Sequence, residues 1–154
     1  MIRAKGFTLT ELLVVTMALA LVATFTVPTY QLILSQLQLN QAAEQAADHV
    51  RTAQQRTVTE QIVYGVTLTT NATSIPLFQI TNPNTMAKST IETLSLPDNI
   101  RISTVSFSGQ NDVRFTTAGA PSTSGSFVVL DTVRNRTRLV EIRPSGNIRV
   151  GSEQ

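Results

Sequence analysis

The chain has 154 residues, which is the size of one folded domain with an additional segment. It has no cysteine, so disulfides, thiolate zinc sites and a thiol nucleophile are all excluded. Only 14% of the residues are charged, and the formal net charge of +2 comes wholly from Arg3 and Lys5. The basic balance of the whole chain is therefore weak evidence for a nucleic-acid partner.

The first strong feature is the apolar stretch of residues 7–27, which follows a short basic segment ending in Gly6. Its length matches the roughly 20 residues that a helix needs to cross a bilayer. The stretch carries a single charged residue, Glu11. A carboxylate at the centre of the hydrocarbon costs about 2.5–3.5 kcal/mol. We therefore expect Glu11 either to have a partner, such as an amine, or to lie near the lipid headgroups within reach of water.

The position of Gly6 distinguishes this segment from an ordinary secretory signal. Such a signal has its small-residue cleavage site after the apolar region, and no such site follows Val27. Gly6 instead precedes the apolar run. The stretch Gly6-Phe7-Thr8-Leu9-Thr10-Glu11 closely resembles the class III signal of the type IV pilin and pseudopilin family.

The resemblance implies a processing reaction and an assembly role. A prepilin peptidase would cut between Gly6 and Phe7 and methylate the new amino group of Phe7. Glu11 would face that amine on a neighbouring subunit during filament assembly, and Pro28 matches a proline that family members often carry. Residues 1–6 would then be a leader peptide and residues 7–28 a single transmembrane helix in the cytoplasmic (inner) membrane. The C-terminal domain would be periplasmic or extracellular.

The helical pattern continues beyond Pro28, where the lost hydrogen bond favours a kink. No glycine or proline occurs from Tyr30 to Thr59. Apolar or small residues recur at intervals of three, four and seven, which indicates one face of a helix. These residues are Leu32, Leu39, Ala43, Ala46, Val50 and Ala53. The pattern predicts an amphipathic helix over residues 29–60, with a domain packed on this stripe and Glu44, Asp48 and Arg51 on the solvent side.

Residues 61–154 predict a β-rich domain. Runs of β-forming residues indicate strands at 61–70, 100–107, 113–115, 126–133, 137–142 and 148–150. The segment 71–97 is predicted to be rich in turns, with one short strand at 77–80 and a break at Asn82-Pro83-Asn84. A hairpin turn is expected at 134–136 and a type I turn at 143–146. The fold class is α+β: a long N-terminal helix packed on a C-terminal antiparallel sheet domain, as in pilins.

The C-terminal region resembles a narrower group of minor pilins. Together with the helix-then-sheet order, the ending Gly146-Asn147-Ile148-Arg149-Val150 is similar to the subfamily of the secretion pseudopilin GspH and the pilus protein FimT. Some FimT-like members bind DNA through Gly-Arg-x-Arg, and this chain has Asn147 at the first arginine position. The residues that could still contact DNA are Arg134, Arg136, Arg138, Arg143 and Arg149.

Catalytic patterns are missing from the sequence. His49 is the sole histidine, and it has neither a nearby nucleophile nor companions that would form a metal site. We predict that it is a solvated or domain-contacting helix residue. No phosphate-binding glycine loop or nucleophile elbow occurs. We expect no enzyme activity, no cofactor and no metal.

Three functions remain open from the sequence. The first is a subunit of a type II secretion pseudopilus, type IV pilus or competence pilus, whose partners are other pilin-like subunits, the prepilin peptidase and membrane lipid. The second is a minor pilin that binds DNA for uptake through its arginine-rich C-terminal region. The third is a membrane-anchored sensor or adaptor. The resemblance to this subfamily and the cysteine-free domain favour a minor subunit, but the sequence decides neither this point nor which of the three machines the subunit serves.

Overall fold

A computed structural model describes the backbone of residues 6–82 and 84–153, and the side chains within them except at 25–29, 31–32 and 152–153. Residues 1–36 and 37–154 form two compact units. One helix, α1 (Leu9–Glu60), is followed by eight strands. They are β1 (Tyr64–Thr67), β2 (Ser74–Asn82), β3 (Ala87–Ser95), β4 (Ile100–Ser106), β5 (Asp112–Arg114), β6 (Gly125–Asp131), β7 (Arg136–Ile142) and β8 (Ile148–Glu153).

Helix α1 begins at Leu9 and ends at Glu60, whereas the predicted helical segments cover residues 7–28 and 29–60. It runs through position 28 as one helix. The side chain of Pro28 lies outside the described residues, so the expected kink stays a prediction. The leader residues 1–5 also lie outside them.

The end of α1 explains why the first strand is shorter than the sequence indicated. Gln61 adopts a left-handed conformation with φ of 58°, and its N–H donates to the Thr57 carbonyl at 3.1 Å. The Thr57 hydroxyl accepts the N–H of Tyr64 at 3.1 Å. Residues 61–63 therefore terminate the helix, and β1 begins only at Tyr64.

The strands form two antiparallel sheets. The first sheet has the order β3-β2-β1-β5, and the second has the order β4-β6-β7-β8. The prediction of a turn-rich segment at 71–97 was wrong, because β2 and β3 form a long hairpin there. β3 is an edge strand with exposed, mostly polar side chains, so it lacks the apolar alternation by which strands are identified.

The second compact unit has one hydrophobic core. Inner-face residues of both sheets and the predicted stripe of α1 contribute to it, including Leu39, Ala43, Ala46, Val50 and Ala53. Ala42 and Ala47 are also buried, so the buried stripe of the helix is wider than predicted. These alanines leave room for close packing around large buried side chains. The largest of them in the core are Phe107, Phe115 and Phe127.

Candidate functional site

The first turn of α1 holds the predicted processing and assembly residues. Gly6 and Phe7 are exposed, Phe7 by 76%. Thr8 caps the helix, because its hydroxyl accepts the Glu11 N–H at 3.3 Å and donates to Glu11 Oε2 at 3.4 Å. This cap was not predicted, although Thr-x-x-Glu is a sequence pattern typical of helix N-termini.

Glu11 lies where a carboxylate is stabilised by the helix dipole. In the part of the chain that the structure describes, its only side-chain partner is Thr8, and no cation binds it. A hydroxyl contact of this length leaves most of the acceptor capacity of the carboxylate unused. The geometry therefore leaves Glu11 available to a cation from outside the chain.

The side chains around this turn are apolar and exposed. Exposures of 45–80% are found at Phe7, Leu9, Leu12, Leu13, Val14, Val15, Met17, Leu19, Leu21 and Val22. Soluble monomers rarely expose contiguous apolar surface on this scale. Among the described residues, no helical window meets the length and hydropathy required for a membrane span.

The five predicted DNA-contacting arginines do not form one cluster. Arg136 lies opposite buried Asp131, and Arg138 lies opposite buried Val129, so both are on the inner face of the second sheet. The Arg138 guanidinium donates from Nε to Asn40 Oδ1 at 2.7 Å and from Nη1 to the Gly151 carbonyl at 3.0 Å. Arg138 thus links α1 to β8 through these two hydrogen bonds.

The other predicted arginines lie elsewhere on the domain. Arg149 is exposed on β8 opposite Glu141, on the outer face of the second sheet. Arg143 donates from Nε to Glu141 Oε2 at 3.1 Å. Arg134 is half-buried in the turn between β6 and β7. A flat ligand on the outer face could reach Arg149 without reaching Arg136 or Arg138.

The turn before β8 is fixed by a helix side chain that the sequence did not single out. Gln54 Nε2 donates to the carbonyl oxygens of Gly119 at 2.6 Å and Gly146 at 3.0 Å. A turn is present at the predicted position 143–146, with the Gly146 N–H donating to the Arg143 carbonyl at 2.9 Å. A single half-buried glutamine on the helix carries no sequence signal for this role.

Replacing Gly146 by alanine is expected to lower the free energy of unfolding by about 2–3 kcal/mol. Gly146 has φ of +82°, and an added Cβ would lie 2.7 Å from Gln54 Nε2 and from the Gly119 carbonyl oxygen. Gly109 is the matched control, because it has φ of +80° with nothing within 4 Å. Gly109→Ala should cost only about 1 kcal/mol. Equal losses in urea unfolding would show that the Gln54 contacts contribute nothing.

His49 is buried against the sheets, with 7% of its surface exposed. The prediction of a domain-contacting residue is therefore confirmed. Burial lowers the pKa of His49 below its ordinary value, whereas the charge of Glu92 and a hydrogen bond with the Ile75 backbone act against this shift and Arg56 adds to it. Its Nε2 atom has no partner among the described residues. A proton on Nε2 would have no described hydrogen-bond acceptor in the interior.

The stability of the domain should therefore fall on mild acidification. The folded pKa of His49 lies below the unfolded value of about 6.5. The unfolded chain then binds more protons below that pH, so the free energy of unfolding decreases as the pH falls from about 6.5 towards the folded pKa. The slope should approach 1.4 kcal/mol per pH unit at most, as an order-of-magnitude estimate. His49→Gln should reduce the pH dependence of the free energy of urea unfolding between about pH 5 and pH 7. An unchanged slope against pH would exclude His49 as the cause.

No catalytic constellation is found in the described part of the chain. No group of three His, Cys, Asp or Glu side chains could hold a metal ion there. An open groove of about 420 Å³ lies between α1 and the loop at 118–120. Its lining residues are Gln54, Gln55, Val58, Thr59, Ala118, Gly119, Ala120 and Ser145, none of which titrates near neutral pH.

Comparison of the coordinates with solved structures identifies the fold. The minor pseudopilin EpsH of the type 2 secretion system of Vibrio cholerae superposes with a TM-score of 0.61 and 8% identity, over 75% of this chain and 97% of EpsH. The type IV minor pilin FimU of Pseudomonas aeruginosa PAO1 gives a TM-score of 0.60 and 13% identity, over 76% of this chain and 90% of FimU. The fold is that of minor pilins and pseudopilins.

The pilin-like fold confirms the predicted α+β architecture and the predicted resemblance of the fold to minor pilins and pseudopilins. No protein-family profile matches the sequence, and no curated protein matches it. The shared fold is thus found at a sequence identity of only 8–14%. The boundaries 1–6, 7–28, 29–60 and 61–154 stay predictions.

Proposed function

We propose that this chain is a minor subunit of a type II secretion pseudopilus or a type IV pilus. The observation that supports the proposal best is the Glu11 carboxylate, set in the first turn of α1 and followed directly by the exposed apolar side chains of residues 12–15. A pilin-like domain follows on the same chain. Glu11 then takes as its cation the terminal amine of a neighbouring subunit.

The proposal assigns a role to each part of the N-terminal segment. Prepilin peptidase cuts between the exposed residues Gly6 and Phe7 and methylates Phe7. Residues 7–28 anchor the chain in the inner membrane before assembly, and the domain from residue 37 onward lies outside the cytoplasm. The chain performs no catalysis itself. Its partners are other pilin-like subunits, the peptidase and membrane lipid.

The direct test is the amino terminus of the chain made in cells with a prepilin peptidase. Intact-mass measurement should show loss of residues 1–6 and the gain of one methyl group on Phe7. Sheared filament fractions should contain the processed chain. A chain that starts at Met1, or downstream of Val27, would contradict the proposal.

DNA binding remains the alternative function. The exposed Arg149 supports it. Because Arg149 and Arg136 lie on opposite faces of the second sheet, a duplex could contact only one of these two arginines. We expect any binding by the full chain to weaken steeply with salt, as phosphate contacts require. Arg149→Ala should reduce it, and Arg136→Ala should not. No binding at low salt would remove this alternative.

A further inference from the structure

The outer face of the second sheet carries an apolar strip that does not belong to the core. In β6 and β7 the buried residues alternate with Val128, Leu130 and Leu139, which are half-buried and point to the opposite side. None of the three packs against the core cluster. Leu139 lies over Gly151 of β8, whose missing side chain leaves the surface flat there.

Cations border this strip on both edge strands. Arg101 of β4 lies opposite Leu130, and Arg149 of β8 lies opposite Glu141. Both arginines are exposed, and neither has a partner among the described residues. The acid described at this border, Glu141, is bound by Arg143. We name the strip and its two unpaired arginines the outer apolar face.

A small cleft adjoins the outer apolar face near Arg149. It has a volume of about 260 Å³, enough for one side chain of a partner. Its polar lining includes Ser126, Glu141 and Arg143. Because Glu141 lies between Arg143 and Arg149, the charge at this end of the face is positive by one unit. A carboxylate entering the cleft would meet a net positive field.

We propose that the outer apolar face docks a protein partner that presents apolar side chains bordered by carboxylates. Apolar centres with a polar rim are typical of protein interfaces. A second copy docked through the same face would bring Arg101 and Arg149 towards like charges, which disfavours self-association. A nucleic acid would leave the apolar strip without complementary contacts, because its affinity depends on phosphate neutralisation.

The size of the face indicates which partner this is. Three half-buried apolar residues cover far less than the roughly 800 Å² per partner of a stable interface. Such a contact needs a second attachment that raises the effective concentration of the partner. A neighbouring subunit of the same filament meets this condition, so the partner assignment rests on the proposed function.

The experiment uses the full chain in cells that assemble the filament. A benzophenone amino acid replaces Leu139, and the control carries it at Thr93 on the exposed edge strand β3. After irradiation, crosslinked peptides are identified by mass spectrometry. We expect the probe at position 139 to crosslink a neighbouring pilin-like subunit at apolar residues flanked by Asp or Glu, with a yield at least about tenfold above that at position 93.

Charge variants test the border of the face. Arg101→Glu with Arg149→Glu should lower the yield at position 139 about tenfold, and Arg101→Lys with Arg149→Lys should preserve most of it. Both residues are exposed, so the thermal midpoint should not change. Crosslinks to nucleic acid, to the same face of a second copy, or with equal yield at both positions would overturn the proposal.

Failure of this inference and failure of the proposed function can be distinguished. A chain that is processed and enters filaments without a position-139 crosslink refutes only the docking face. A chain that never enters filaments, but still crosslinks an acidic-bordered protein in a charge-dependent way, refutes the filament role and retains the face.

Discussion

Glu11→Val is expected to reduce incorporation of the chain into filaments at least about tenfold, while cleavage after Gly6 and membrane insertion continue. Without Glu11, the buried amine of the neighbouring subunit has no counter-ion. The free-energy cost should exceed 1.4 kcal/mol, which corresponds to about a factor of ten. Valine also makes the segment more apolar, so insertion should not suffer. The measurement is the fraction of processed chain in sheared filaments relative to membranes.

Thr8→Ala is the matched control for this variant. Thr8 makes the only described side-chain contact of Glu11, and removing its hydroxyl keeps the carboxylate but deletes the helix cap. The cap is worth about 1 kcal/mol to the helix. If Glu11 acts only by capping, Thr8→Ala should impair assembly as much as Glu11→Val. If the carboxylate binds a neighbouring amine, Thr8→Ala should assemble nearly normally and Glu11→Gln should fail.

Gly125→Ala is expected to lower the free energy of unfolding by at least about 3 kcal/mol. An added Cβ would lie 2.0 Å from the Ser106 carbonyl oxygen and 2.6 Å from Phe107 Cδ1. Backbone atoms cannot rotate away as a side chain can, so β4 and β6 would have to separate. The thermal midpoint of the full chain in mild detergent should fall by about 10–20 °C.

Ser126→Ala provides the comparison for Gly125→Ala. Ser126 is the next residue on β6, on the solvent side of the sheet. Its truncation should change the midpoint little, because surface substitutions stay within about 0.5 kcal/mol. A similarly small effect of Gly125→Ala would mean that the two strands are less closely paired than described.

The sequence predicted the elements whose residues carry a local physical signal. The long helix follows from its apolar stretch and its 3.6-residue periodicity, and the turn at 143–146 follows from Pro144 and Gly146. β3 was missed because an exposed edge strand needs no apolar alternation. The start of β1 was misplaced because the capping of α1 by Gln61 uses the residues that precede it.

The functional residues divide in the same way. Glu11 stands out because one carboxylate in an apolar run is visible at once. Gln54 binds carbonyl groups that are 65 and 92 residues away along the chain. Arg138 binds a side chain that is 98 residues away. No local pattern encodes such contacts. Arginine composition alone therefore grouped residues that the sheet separates onto two faces.

The order of the strands has a consequence for how the domain folds. The chain leaves the first sheet after β3, starts the second with β4, and returns with β5 to complete the first. The strands of the two sheets are thus interleaved along the chain. Because β1 pairs with β5 and β4 pairs with β6 across this interleaving, we infer that both sheets melt together in one cooperative transition.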